Sequence, residues 1–491
     1  MNLYPFKRFG FSGWLILPCL LIGALVNSLS AALVDDDAKA SRKLRENQPN
    51  IILIMADDLG YGDVGFNGQA HIKTPNLDRL AKEGMVFSDH YAGSTVCMPS
   101  RCSLMTGKHI GVATVRGNPR WTATGEAIDL TDSDVTVAEE LKRAGYRTGV
   151  VGKWGLAEGS EEGLPTRQGF DFFYGYRTHK EAHHYYWPEP WRGEQTEPLE
   201  GNDVQTKSGK YLQDLFTKEA LGFVREAEND QSPFFLYLAY TAPHYELTVP
   251  DDSKAPYLGL GWPERPMPQG KHYVHDLEGN VTYAGMVSRM DRDIGALLDC
   301  LEEMGLDEDT IVLFTSDNGP EYEKRDRFFN SNGRYRGGKR DLYEGGIRVP
   351  MVARWPGVVK AGTATPLVSA FEDFLPTVCE LAGVVPSDPA VTGISLAPTL
   401  TGNVERQRNR EFRYWEFNEK QGPLQALRMG DWKAVRFVGK RTELYNLKED
   451  PEEESDVAKA NPEILDRMEQ IIDSARTKHD GFPLVKRSRP M

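Results

Sequence analysis

The chain has 491 residues, enough to bury a substantial core in one large domain plus a small one, or in two to three domains. Apolar residues at 40% and charged residues at 26% are the proportions of an ordinary globular protein and exclude fibrous and disordered classes. A formal net charge of −14 argues against nucleic acid and anionic membranes as partners, so an anionic ligand would need a local basic pocket.

At the N-terminus Lys7 and Arg8 precede an apolar run over 14–26 and the small residues Ser28, Ser30 and Ala31. This order of basic, apolar and small segments predicts a secretory signal peptide over 1–30. The run is shorter than the about 20 residues of a membrane span. Cleavage near Ser30 is therefore expected, with a secreted or periplasmic product, and loss of Lys7 and Arg8 takes the charge from −14 to −16. A polar leader fills 31–48. Five cysteines, one of them (Cys19) in the signal, are too few for a disulfide scaffold.

Residues 50–55 (NIILIM) are continuously apolar, the pattern of a strand buried in a parallel sheet. Similar runs predict strands over 147–151, 233–240, 310–315 and 348–353. Helical patterns fall between them, over 76–83, 135–144, 211–227 and 283–304. In the last, Met286, Met290, Ile294, Leu297 and Leu301 recur at three- and four-residue spacing, one apolar face of a long helix. Strands alternating with helices predict an α/β domain over 49–405, a mostly parallel sheet sandwiched by helices. After a polar, basic stretch at 406–410, short strands over 412–417, 424–428, 432–437 and 442–446 and a helix over 464–476 predict a C-terminal α+β subdomain, 406–491. The long polar segments 185–210 and 250–279 read as functional or mobile loops. Asn280-Val281-Thr282 fits a glycosylation sequon and is expected as a turn before the long helix.

Ligands of open α/β sheets bind beyond the carboxyl ends of the strands. The first strand ends in Asp57-Asp58, the 310–315 strand in Ser316-Asp317-Asn318-Gly319, and the 147–151 strand in Gly152-Lys153-Trp154. Asp57, Asp58, Asp317 and Asn318 together offer four oxygen-bearing side chains with three negative charges, a set that suits a hard divalent cation such as Ca²⁺. No His/Cys cluster at ligand spacing is present, which argues against zinc.

The remaining signal is Cys97-Met98-Pro99-Ser100-Arg101, followed by Leu104-Met105-Thr106-Gly107-Lys108. This run resembles the type I sulfatase signature, and the resemblance, to a bacterial-type member with the alkaline-phosphatase-like fold, extends over about 50–450. It implies that a formylglycine-generating enzyme oxidises Cys97 to formylglycine, whose hydrate attacks a sulfate ester. It further implies that Asp57, Asp58, Asp317, Asn318 and modified Cys97 hold Ca²⁺ and that Arg101 holds the hydrate. Lys153 and Lys339 then bind sulfate, and His244, in Ala242-Pro243-His244, serves the leaving oxygen. A helix over 100–106 beginning near Cys97 would place positive charge beside the nucleophile.

The chain departs from the family pattern at Gly155, where most members carry the histidine credited as base for the second step. His183, in the segment His179 to Tyr186, and His109 are the candidates to replace it as base or substrate ligand, against a reading of both as plain loop histidines. The expected activity is hydrolysis of sulfated carbohydrates. The alternatives are a phosphodiesterase or phosphonate hydrolase of the same superfamily, and a non-catalytic binder of sulfated glycans in which Cys97 stays a thiol.

Overall fold

The apolar run over 50–55 becomes the middle of a large sheet. A computed structural model describes Met1 and residues 48–230, 232–266, 273–321, 328–419 and 422–485. The expected signal peptide and nearly all of the polar leader lie outside the described residues. In chain order the strands are β1 (Asn50–Ala56), β2 (Met85–Phe87), β3 (His90–Tyr91), β4 (Arg147–Lys153), β5 (Phe172–Tyr176), β6 (Trp191–Arg192), β7 (Gln195–Thr196) and β8 (Phe234–Ala239). There follow β9 (Thr310–Ser316), β10 (Met351–Arg354), β11 (Thr363–Thr365), β12 (Ser369–Ala370), β13 (Arg413–Glu419), β14 (Gly422–Met429), β15 (Trp432–Phe437) and β16 (Arg441–Asn446).

Ten of these form one sheet in the order β11-β2-β10-β9-β1-β8-β4-β5-β6-β7. Its centre, β9-β1-β8-β4-β5, is parallel throughout. These strands are uninterruptedly apolar because both faces are covered. Along β1 the side chains alternate. Ile52 and Ile54 enter a core shared with helices Pro75–Glu83, Leu212–Asp230 and Gly279–Glu303. Ile51, Leu53 and Met55 enter a second core shared with helices Cys97–Thr106, Val137–Arg143 and Phe374–Leu381. Helix Val137–Arg143 starts on a reciprocal cap in which Thr136 accepts from the Glu139 N–H while the Glu139 carboxylate accepts from that of Thr136.

The small second sheet, β13-β14-β15-β16, is antiparallel and carries helix Pro462–Ser474. Its core includes Trp415, Phe417 and Leu444 together with Tyr91, Val96 and Ile347 from earlier in the chain. A buried ionic cluster also joins it to the preceding segment. Lys433 Nζ lies 2.9 Å from a carboxylate oxygen of Glu344 and 2.9 Å from one of Glu453, with all three side chains fully buried. Burial opposes ionisation of Glu344, but Lys433, Arg348 and Arg428 outweigh it and hold the carboxyl well below its usual range.

Several expectations change. The strand expected over 348–353 forms only at Met351–Arg354 and runs antiparallel to β9. Arg348 is instead held by Glu344 and Asp89, and the Val349 N–H donates to the His90 carbonyl at 3.1 Å. The short strands β2 and β5 have no counterpart in the sequence reading. The Asn280–Thr282 turn is the first turn of helix Gly279–Glu303, where the Asn280 amide donates to the Pro263 carbonyl at 2.9 Å. The loop over 185–210 contains the β6–β7 hairpin. No helix among the described residues is long and apolar enough to cross a membrane.

Candidate active site

Strand pairing brings the expected polar groups together at one end of the sheet. Because β1 and β9 are parallel neighbours, Asp57-Asp58 and Asp317-Asn318 leave the sheet side by side. Backbone bonds carry the pairing past the strands: the Asp57 N–H donates to the Ala242 carbonyl at 3.2 Å and the Asp317 N–H to that of Ala56 at 3.1 Å. Asp58 then turns into the left-handed region at φ +63°, which aspartate tolerates, and its N–H donates to Asp317 Oδ1 at 3.1 Å. On β4, Gly152 (φ +106°) packs so closely that a Cβ there would lie 2.0 Å from the Ala239 carbonyl oxygen of β8. That close approach sets the position of Lys153, whose Nζ donates to Asp57 Oδ2 at 2.5 Å. Lys339 Nζ donates to Asp58 Oδ1 at 2.5 Å.

Asp57, Asp58, Asp317 and Asn318 are all buried. Among the described residues, Asp57 Oδ1, Asp58 Oδ2 and Asn318 Oδ1 are buried without a hydrogen-bond partner. The amide of Asn318 donates to Asp58 Oδ1 at 2.7 Å, which leaves its oxygen unpaired. Three orphaned oxygens, two of them on carboxylates, fit a hard divalent cation. Burial opposes ionisation of Asp57, yet Lys153, His244, Arg101 and Lys339 hold it far below the carboxylate range. Burial pushes Asp317 up to about 7, with the Asp57 charge adding to it and Arg101 and Lys153 opposing. A bound cation would offset that shortage of positive charge.

Arg101 lies on the first turns of helix Cys97–Thr106, which begins at Cys97 itself rather than at Ser100. Its guanidinium donates to Asp317 Oδ2 through Nη2 at 2.9 Å and Nε at 3.2 Å, and to the Lys153 carbonyl at 2.7 Å. Cys97 is 2% exposed, and the charges of Arg101, Lys153 and Lys339 all interact with it.

His244 joins the cluster. Its ligand atom and those of Asp57 and Asp58 all lie within 4.8 Å of one another. The Tyr245 carbonyl can only accept, so His244 Nδ1 carries the proton of the neutral ring. Nε2 is thereby left bare, 3.6 Å from Asp58 Oδ2. Asp317 is not part of this trio; its Oδ1 accepts from the Asp58 N–H and its Oδ2 from Arg101. Burial lowers His244 to about 4, with Asp58 opposing and Lys339 adding.

The ring of His183 stacks on that of His244 with centroids 4.9 Å apart and planes 3° apart. Burial, reinforced by His244 and Lys153, lowers it well below the usual histidine range. His109 goes elsewhere. It packs on Phe412 and Tyr414, and its Nδ1 accepts from the Gly111 N–H at 3.2 Å. Gly155 has φ +72°, and a Cβ there would find Lys153 Cε at 3.8 Å and no closer contact. One contributor was not legible in the sequence: Tyr237, inside the apolar β8 run, accepts from Arg101 through its hydroxyl at 3.3 Å.

Comparison with known proteins agrees with this geometry. A family model described as Sulfatase matches residues 49–384, and one described as N-sulphoglucosamine sulphohydrolase, C-terminal, matches 335–478. The chain is 32% identical over 404 residues to N-acetylgalactosamine-6-sulfatase of Mus musculus, covering 79% of this chain and 71% of that one. It is 32% identical over 467 residues to arylsulfatase A of Homo sapiens, covering 86% and 87%. The solved structure of Ps i-CgsB, known also in complex with k-i-k-neocarrahexaose, superposes with a TM-score of 0.75 at 30% identity, covering 88% of this chain and 94% of that one. With a sulfatase match over most of its length, the alkaline-phosphatase-like sheet and a strand-end cluster of acids and lysines, the chain belongs to the type I sulfatase family and is a sulfuric ester hydrolase.

Proposed function

We propose that the chain hydrolyses O-sulfate esters of carbohydrates to alcohol and inorganic sulfate, using formylglycine at position 97 and a Ca²⁺ ion held by Asp57, Asp58, Asp317, Asn318 and that residue. One observation carries the reading: buried oxygens of Asp57, Asp58 and Asn318 without protein partners lie beside the ammonium groups of Lys153 and Lys339. A cation bound there supplies the charge that lowers a hydroxyl pKa and holds a sulfuryl oxygen. Formylglycine hydrate supplies the oxygen nucleophile together with a second hydroxyl that allows sulfate to leave.

The chain's own residues do the rest. Arg101, fixed by Asp317, and the amino end of helix Cys97–Thr106 present positive charge to an anionic group at position 97. Lys153 and Lys339 face the sulfuryl oxygens and neutralise the charge that grows on them. His244 is the general acid for the leaving alcohol: with Nδ1–H held by the Tyr245 carbonyl, Nε2 must first take up a proton, which the Asp58 carboxylate at 3.6 Å favours, before it can donate it. His183, stacked on His244, acts as base or substrate ligand where Gly155 replaces the usual histidine.

Export through the 1–30 leader belongs to the same proposal, as does a division into a catalytic domain over 49–405 and a subdomain over 406–491. Because Cys97 is 2% exposed, the formylglycine-generating enzyme acts before folding is complete. A carbohydrate substrate is supported by the long loops that follow the strand ends and by the sugar sulfatase among the relatives.

The test is a parallel assay on aryl sulfate and aryl phosphate esters, with the mass of the Cys97 peptide from the native host. Sulfate release with an oxidised Cys97 is the expected result. Preference for phosphate favours the phosphodiesterase or phosphonate hydrolase alternative. An unmodified thiol without turnover leaves the glycan binder.

A further inference from the structure

Arg340 directly follows Lys339 and sits in the left-handed region at φ +73°. Its N–H donates to the Thr95 carbonyl at 3.1 Å, and the Lys339 N–H donates to that of Pro320 at 3.0 Å. These two bonds tie the 339–340 turn to the segment that enters the Cys97 helix and to the segment that leaves Asp317-Asn318. Glu321, three residues after Asn318, accepts from Arg340 Nη1 at 2.5 Å. Glu419, the last residue of β13, places Oε2 3.5 Å from Arg340 Nε. The side chains of Arg340 and Glu321 are 25% and 29% exposed, whereas that of Lys339 is 3% exposed. The pair is thus the solvent-facing continuation of the wall that Lys339 begins. The charges of Asp58 and Cys97 reach the Arg340 guanidinium, and those of Arg340 and Glu321 reach Tyr273.

We propose that Arg340 and Glu321 form the specificity pair for the sugar that carries the ester, gripping neighbouring hydroxyls of a ring with no second negative charge. This rests on the sulfatase reading above. The local charge decides for hydroxyls over a further anion. The Arg340 guanidinium is already set against the carboxylates of Glu321 and Glu419, so a uronate or a second sulfate would compete with two anions for its charge. A pair of hydroxyls instead takes one donor from the guanidinium fork and offers one to the Glu321 carboxylate. Sites built this way reject analogues that lack the hydroxyls, because the polar groups are then left unpaired.

Arg340→Ala and Glu321→Gln are assayed on a monosulfated neutral hexose, a sulfated uronate and 4-nitrophenyl sulfate, which has no ring hydroxyls. For both variants kcat/KM on the hexose sulfate is expected to fall about 10- to 100-fold, chiefly through KM, while the aryl sulfate rate stays within about two-fold. Arg340→Lys, which keeps the charge and loses the fork, is expected to recover only part of the loss. Equal losses on hexose and aryl sulfate would place Arg340 on the nucleophile or the fold, and a loss confined to the uronate would make it an anion site. Either overturns the proposal. A wild-type protein active on aryl sulfate but on no monosulfated hexose overturns it while the sulfatase reading stands. Inactivity of the matured wild type on every sulfate ester removes both.

Discussion

The ammonium of Lys153 lies 2.5 Å from Asp57 Oδ2, and neither side chain has any exposed surface. The pair reaches from β4 across β8 to the end of β1, so the lysine is aimed by three strands rather than by a loop. Lys153→Met is expected to cut kcat/KM on aryl sulfate by about 10²- to 10³-fold, the scale of losing one preorganised charge donor. Lys339→Met should behave alike. A loss below ten-fold would take that lysine out of the sulfate clamp.

Cation dependence follows from the orphaned oxygens. Dialysis of the folded protein against a chelator is expected to abolish activity and lower the unfolding midpoint, with Ca²⁺ restoring both. Asn318→Ala, which deletes one orphaned oxygen, should raise the Ca²⁺ concentration needed for half-maximal thermal stabilisation by about ten-fold or more. An unchanged midpoint after dialysis argues that the oxygens hold no metal.

His183 and Gly155 make opposite predictions. His183→Ala is expected to lower turnover about 10²-fold if the residue moves a proton. Gly155→Ala meets only an ordinary contact with the Lys153 side chain but a left-handed backbone, φ +72°, so it should cost about 1–2 kcal/mol of stability and little activity. A His183→Ala rate within a few-fold of wild type would leave His183 as a packing partner of His244.

Asp63 gives a pH signature away from the chemistry. It accepts from the Gly60 N–H at 2.8 Å, the Tyr283 hydroxyl at 2.7 Å and the Ser331 hydroxyl, and burial nevertheless raises it from 3.8 to about 6. A carboxyl whose folded pKa is raised keeps its proton in the fold at pH values where the unfolded chain has lost it. Its contribution is therefore fully present below about pH 4 and lost as pH rises through about 6. Asp63→Asn removes the titration, so its stability relative to wild type should improve across that window by up to about 3 kcal/mol. Denaturant midpoints at pH 4 and pH 7 measure it; a constant difference between variant and wild type contradicts the reading.

The central strands were legible because burial on both faces leaves them apolar without interruption, and the site was legible because Asp57, Lys153 and Asp317 end those runs. What escaped was non-local. The direction of β10 is set by its partner β9 and by the anchoring of Arg348, neither encoded within 348–353. Tyr237 hid in an apolar run because an aromatic ring satisfies the strand pattern whatever its hydroxyl does. The stack of His183 on His244 depends on how two loops close, and the Arg340–Glu321 pair joins residues of two different loops, so neither has a local signature.

Lys433, set between Glu344 and Glu453, has a consequence for how short this enzyme can be made. A chain cut before Arg413 would retain the acid, lysine and histidine side chains of the site, yet it would take Lys433 and Arg428 away from Glu344, leave Arg348 as its cation, and uncover Tyr91, Val96 and Ile347. Removing one partner of a buried pair costs about 3–5 kcal/mol, on the scale of a whole domain's stability. No minimal catalytic fragment should therefore exist, and a truncation series is expected to give soluble, active protein only when β15 is retained.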